Sequence, residues 1–241
     1  MSTYVHSETS LRSDFLDGMR AGVPVVVASA PFGILFGALA IDNGFTVFQT
    51  VLMSATIFAG ASQMVGLDLF GQKVAPWLIV FSIFAVNFRH VLYSAAIGRR
   101  IRHWPTAKKV IAFFFLVDPQ YAESERRIAN GKDIGFGWYM GLGSLVYVFW
   151  ILDSLVGAVF GQMISNTEML GLDFLLPIYF LGLVMGFRNR PLFLPVVLAS
   201  ALGSVVAYQT VGSPWHVSIG ALVGIAVAVL APVKASVARR Q

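Results

Sequence analysis

The chain has 241 residues, of which 57% are hydrophobic and 12% charged, with a formal net charge of +5. Soluble domains usually carry about 25% charged residues, so this composition excludes an ordinary water-soluble fold and points to one integral membrane domain over 1–241. The basic excess is explained by cytoplasmic loops rather than by a nucleic-acid partner. The chain has no cysteine, which excludes disulfides, cysteine nucleophiles and cysteine-ligated metals.

The start of the chain, 1–17, is polar and mixed in charge. It lacks a basic region followed by an apolar stretch and a small-residue cleavage site, so no cleaved signal peptide is expected. Apolar runs then occupy about 23–41, 47–70, 76–97, 134–160, 170–187, 191–211 and 215–233. Most reach the ~20 residues that cross a ~30 Å hydrocarbon core. The run 110–117 is apolar but too short to cross alone, which makes it re-entrant or interfacial. The runs are continuous rather than alternating, so the spans are helices and not barrel strands. The expected fold is all-α and polytopic, with six to eight hydrophobic helices or half-helices.

Loop charge gives an orientation. Arg99, Arg100, Arg102, Lys108, Lys109, Arg126, Arg127 and Lys132 flank the short run, Arg188 and Arg190 lie in a later loop, and Lys234, Arg239 and Arg240 fall near the C-terminus. The turns 41–46, 162–173 and 209–214 contain no Lys or Arg. The positive-inside rule puts 98–135, 188–190 and the C-terminus in the cytoplasm. Three full crossings before Arg99 would leave the N-terminus outside despite Arg12 and Arg20. A broken hairpin over 47–70 would return it inside, and charge alone does not choose.

Glycines four apart recur at Gly18/Gly22, Gly33/Gly37, Gly137/Gly141, Gly157/Gly161, Gly182/Gly186 and Gly220/Gly224. Such pairs let helix backbones approach closely. Their echo at the starts of 18–103 and 134–233 is compatible with an internal repeat.

The polar breaks carry the functional reading. Gly60-Ala61-Ser62-Gln63 lies deep in an apolar run. A helix broken there would offer an N-terminus to a carboxylate, with Ser62 and the Gln63 amide beside it. The alternative is an unbroken helix whose polar atoms bond a neighbour. Asn87, Arg89 and His90 fall within one turn. A cation in hydrocarbon costs about 2.5–3.5 kcal/mol on insertion scales. Arg89 therefore either holds a carboxylate in a water-filled path or snorkels to the cytoplasmic surface, and His90 can carry a proton near neutral pH. Pro31 removes an amide donor in mid-run, which kinks the helix or frees a carbonyl for an ammonium. Asp118 either caps a helix whose first residue is Pro119 or partners a proton or ammonium. Asp153 stands among apolar neighbours and must face protein or water; it is a candidate proton-coupling carboxylate beside a structural reading. No ATP-binding loop, HExxH, Cys/His metal cluster or hydrolase set occurs, so neither an enzyme nor a metal or cofactor is expected.

The strings Gly18-Met-Arg-Ala-Gly22-Val-Pro24, Pro31-Phe-Gly33-Ile-Leu-Phe-Gly37, Ser54-Ala-Thr-Ile-Phe-Ala-Gly60-Ala-Ser-Gln63 and Asn87-Phe-Arg89-His90, followed by Asp118, occur in this order. Here the chain resembles the AzlC family, the large subunit of bacterial branched-chain amino acid exporters. After the short run the family pattern reads Thr-Asp-Glu. This chain reads Val117-Asp118-Pro119, so a second carboxylate is missing there. The resemblance implies secondary export of valine, leucine, isoleucine or similar amino acids across the bacterial inner membrane. It also implies a small multi-helix AzlD-type membrane partner. On this reading the substrate's apolar side chain meets Phe32, Phe36 and Phe58, and its carboxylate meets Gly60, Ser62, Gln63, Asn87 or Arg89. Proton coupling falls to His90, Asp118 or Asp153. A passive channel for a small solute is the alternative, since it needs the same polar breaks.

Overall fold

The computed structural model describes residues 11–160, 181, 184–185, 187–212 and 215–231. The expected span 170–187 lies largely outside these residues, as do the first ten residues and the basic C-terminal end. The described secondary structure is helical, in an order fixed by ten elements: α1 (Leu11–Asp42), α2 (Val47–Ile57), α3 (Gly60–Gly71), α4 (Pro76–Asn87), α5 (Arg89–Arg100), α6 (Thr106–Phe114), α7 (Asp118–Ala129), α8 (Phe136–Phe160), α9 (Phe193–Thr210) and α10 (Trp215–Leu230). Among the described residues, Leu11–Asp42, Pro76–Arg100, Phe136–Phe160 and Phe193–Thr210 are long and apolar enough to cross a membrane. The chain divides into two compact units, one of Met1–Val74 with Asn87–Ser165, the other of Ala75–Val86 with Asn166–Gln241.

The first unit is built on α1 and α8, which pack side by side and run in the same direction. Gly18 lies on the Trp138 carbonyl, Gly22 on Leu142, Gly33 on Asp153 and Gly37 on the Ser154 carbonyl. Reciprocally, Gly141 lies on the Phe15 carbonyl and Gly157 on that of Ile34. Each helix therefore presents glycine to the other's backbone at both ends of the seam. Pro24 and Pro31 sit inside α1. Each deletes an amide donor, so the carbonyls of Arg20 and Val27 lose their usual partners.

Two helical hairpins enter this spine from opposite ends. In the first, α2 and α3 leave from the C-terminal end of α1 and come back to it: Gly71 meets the Asn43 side chain, and the rings of Phe45 and Phe70 lie 5.1 Å apart. The run 47–70 is thus the broken hairpin that loop charge left open. In the second, α6 and α7 leave from the N-terminal end of α8. Lys108 on α6 lies over the Phe136 ring and Arg127 on α7 over Trp138, so both helices end at the same level. The apolar run 110–117 forms the inner half of α6 and the turn, and does not cross the unit alone.

The second unit shows α9 and α10 packed antiparallel. Gly220 and Gly224 lie against Ser200, whose hydroxyl donates to the Gly220 carbonyl at 2.8 Å. The Phe81 ring of α4 meets Trp215 of α10 at 5.1 Å.

Candidate functional site

The first hairpin turns at Phe58 and Ala59. A capping box between Thr46 and Gln49 starts α2, and the helix ends where Phe58 takes a left-handed conformation (φ 42°, ψ 50°). Ala59 (φ −145°, ψ 77°) is non-helical and α3 begins at Gly60. The expected break at Gly60–Gln63 therefore moves two residues earlier, and those four residues form the first turn of α3. Glycine is needed at 60 for space: a Cβ there would run into the Trp150 indole and lie tight against the Phe32 ring. A broken helix leaves carbonyls without partners, and α8 supplies donors. The Tyr147 hydroxyl donates to the Ala55 carbonyl at 2.8 Å. The second hairpin repeats the device, with the Tyr139 hydroxyl donating to the Ala112 carbonyl at 3.0 Å.

A buried polar cluster braces the first tip. Gln63 is fully buried; its Nε2 donates to Ser54 Oγ at 3.1 Å, and its Oε1 accepts from Trp150 Nε1 at 3.1 Å and from the Ala59 amide at 3.3 Å. Ser54 and Ser154 share a hydrogen bond of 2.7 Å. Ser62 Oγ donates to Asn87 Oδ1, which ties α3 to the last residue of α4.

The second tip carries the charge. Val117 occupies the N-cap position of α7 without a side-chain bond, and Asp118 is the first helical residue, followed by Pro119. The expectation that Asp118 caps this helix is therefore corrected. Its carboxylate is drawn away to a cation and a hydroxyl: Oδ2 lies 2.9 Å from Arg89 Nη2, and Oδ1 accepts from the Tyr93 hydroxyl at 3.0 Å. Tyr93 stacks on Tyr121 of α7 with centroids 4.1 Å apart. His90 Nδ1 lies 3.2 Å from the Asn87 carbonyl.

Between the tips lies an open cleft of about 300 Å³. Thr56–Ala59 of the first hairpin, Phe113, Phe114, Leu116 and Val117 of the second, and Asn87 with His90 line it. Phe58 closes its inner side, edge-on to Tyr147 at 5.0 Å and near Phe114 and Phe115. The cleft is apolar along most of its wall. Its polar side chains are Thr56, Asn87 and His90, and Ala59, the N-cap of α3, brings the wall next to the positive end of that helix dipole.

Of the expected site residues, Phe58, Asn87 and His90 line the cleft, whereas Gly60, Ser62, Gln63, Arg89 and Asp118 lie beside the tips without lining it. Phe32 and Phe36 are buried against Trp150, with centroids 5.8 and 6.3 Å away, and do not line the cleft. Asp153 sits on the α1–α8 seam against Gly33, half-buried, with no ion pair among the described residues. Sequence reasoning passed over Tyr93, Tyr147, Trp150 and Ser54. The signal for Tyr93 was present: it follows Arg89 by four residues, so both occupy one helical face.

These features define a helical membrane protein in which two half-helix hairpins meet inside the bundle. The AzlC protein family matches the chain over residues 24–164, and the chain belongs to that family. Among its relatives, an inner membrane protein YgaZ of Escherichia coli is 25% identical over 202 residues, covering 81% of this chain and 82% of the relative. A branched-chain amino acid transport protein AzlC of Bacillus subtilis is 25% identical over 184 residues, covering 75% and 70%. An uncharacterized membrane protein of Archaeoglobus fulgidus is 30% identical over 149 residues, covering 61% and 63%. No solved structure matches. By family the chain is a membrane transporter.

Proposed function

We propose that this protein is a secondary exporter of branched-chain amino acids across the bacterial inner membrane, working with a small AzlD-type membrane subunit. The observation that carries the reading is the cleft between the hairpin tips. It offers apolar wall for a branched side chain and a dipole end, an amide and a guanidinium nearby for a carboxylate. Likeness to a relative named for branched-chain amino acid transport supports the substrate class. No ATP-binding loop occurs in the chain, so the proton gradient or the substrate gradient supplies the driving force.

The basic residues support an orientation. Arg12, Arg20, Arg99, Arg100, Arg102, Lys108, Lys109, Arg126, Arg127 and Lys132 belong to segments at the N-terminal ends of α1 and α8, whereas the opposite end carries Asp42, Asp68 and Lys73. Positive residues favour the cytoplasm, so the N-terminal end of α1 faces in.

Cells producing this chain together with its small partner export valine and leucine faster than cells producing either alone. Lower internal pools with matching external gain support the reading. Unchanged pools, with both subunits confirmed in the membrane, reject it.

A further inference from the structure

We propose that the Arg89–Asp118 ion pair is a slot opened by the zwitterion of the amino acid: Arg89 takes the carboxylate, Asp118 takes the ammonium, and the side chain enters the apolar cleft. This deepens the proposed function and rests on it.

The pair links α5 to α7 with a 2.9 Å contact beside the Tyr93–Asp118 bond and the Tyr93–Tyr121 stack, and both side chains keep some exposure, 23% for Arg89 and 10% for Asp118. Neither charged side chain lines the cleft wall, but the chain neighbour of each does, His90 beside Arg89 and Val117 beside Asp118. Tyr93 holds Oδ1 of Asp118, which leaves Oδ2 as the atom shared with Arg89. A cation and an anion so placed match the two charges of an α-amino acid head to tail.

Charge balance makes the exchange feasible for two groups partly withdrawn from solvent. A buried charge deprived of its partner is strongly unfavourable, whereas one that changes partner is not. Inserting a zwitterion separates Arg89 from Asp118 and gives each a new counter-charge, so no charge is left alone. A carboxylate without an amine would take Arg89 and strand Asp118. An amine without a carboxylate would take Asp118 and give Arg89 no anion in its place.

The test is competition against labelled leucine on the purified complex of the full chain with its partner, using leucine, 4-methylpentanoate and 3-methylbutylamine. These share one apolar side chain and differ in their charges. In the wild type both truncated compounds are expected to bind at least ~100-fold more weakly than leucine, the scale set by a stranded buried charge. Asp118→Asn is expected to weaken leucine yet strengthen 4-methylpentanoate, so that the two come within about 10-fold of each other, since Arg89 has then lost the Asp118 carboxylate and accepts another in its place. Arg89→Gln is expected to do the same for 3-methylbutylamine. If 4-methylpentanoate rivals leucine in the wild type, or Asp118→Asn weakens all three ligands alike, the slot is overturned while leucine binding still stands. Absence of leucine binding by the wild-type complex overturns the proposed function as well. Should either variant fail to assemble, the wild-type ligand series decides.

Discussion

Arg89 illustrates how one residue acquires its meaning from partners distant in sequence. Its place in an apolar run allowed two fates, a lipid-surface anchor or a buried contact. The ion pair with Asp118 at 2.9 Å gives it a protein partner, which a freely snorkelling side chain would not need. Arg89→Lys keeps the charge but loses the planar fork. If a substrate carboxylate uses that fork, leucine affinity should fall about 10- to 150-fold, the equivalent of one charge-assisted hydrogen bond of about 1.5–3 kcal/mol. Equilibrium binding to the assembled complex measures this, and near wild-type affinity would return Arg89 to the role of an anchor. Gln63 differs. Its amide is engaged by Ser54, Trp150 and the Ala59 backbone, so it positions the first tip and has little left to offer a ligand. Sequence could nominate both residues because polar groups in lipid are costly. It could not tell a brace from a contact, because that depends on Ser54 and Trp150, nine residues back and eighty-seven ahead.

At the level of elements, the two hairpins share a construction. Each has a first half-helix whose carbonyl three residues before the turn, Ala55 or Ala112, takes a hydrogen bond from a tyrosine of α8, and each turns on a phenylalanine, Phe58 or Phe115. Broken helices survive in a membrane when neighbours satisfy the freed backbone groups, and here α8 does so for both. α2 and α3 were legible as an interrupted apolar run and α6 as a short one, whereas the charged α7 was legible only as a helix starting near Pro119. The exact turn was not, because Phe58 adopts a left-handed conformation that its residue type does not announce. The glycine pairs were legible as packing surfaces, and the α1–α8 seam uses them. Gly157→Ala drives a Cβ into the Ile34 carbonyl. That overpacking should lower stability by about 1–3 kcal/mol. Gly98 meets only the Phe113 ring edge at ordinary contact distance. Gly98→Ala should therefore be neutral or gain up to about 1 kcal/mol from helix propensity. Thermal unfolding of the two variants in detergent compares them directly; equal behaviour would contradict the close parallel seam.

At the scale of the molecule, the hairpin of α2 and α3 removes the conflict in loop charge. It contributes no net crossing, so the N-terminal end of α1 and the basic segments around α6 and α7 share a side. The cysteine-free chain makes this easy to test. Thr106→Cys and Asn130→Cys should react with an impermeant thiol reagent from one side only, and Gly44→Cys and Lys73→Cys from the other. Labelling of Thr106→Cys and Asn130→Cys from opposite sides would mean that one of the helices of the second hairpin crosses the membrane alone. The central claim, that the cleft between the two tips carries branched-chain amino acids, is tested most directly by leucine counterflow. Proteoliposomes holding the chain with its small partner are loaded with unlabelled leucine and diluted into a trace of labelled leucine. The wild type should show a transient, saturable overshoot of label that valine and isoleucine suppress, and Arg89→Gln, correctly assembled, should abolish it. Uptake that grows linearly with leucine and ignores valine, or an undiminished overshoot in Arg89→Gln, would contradict the account.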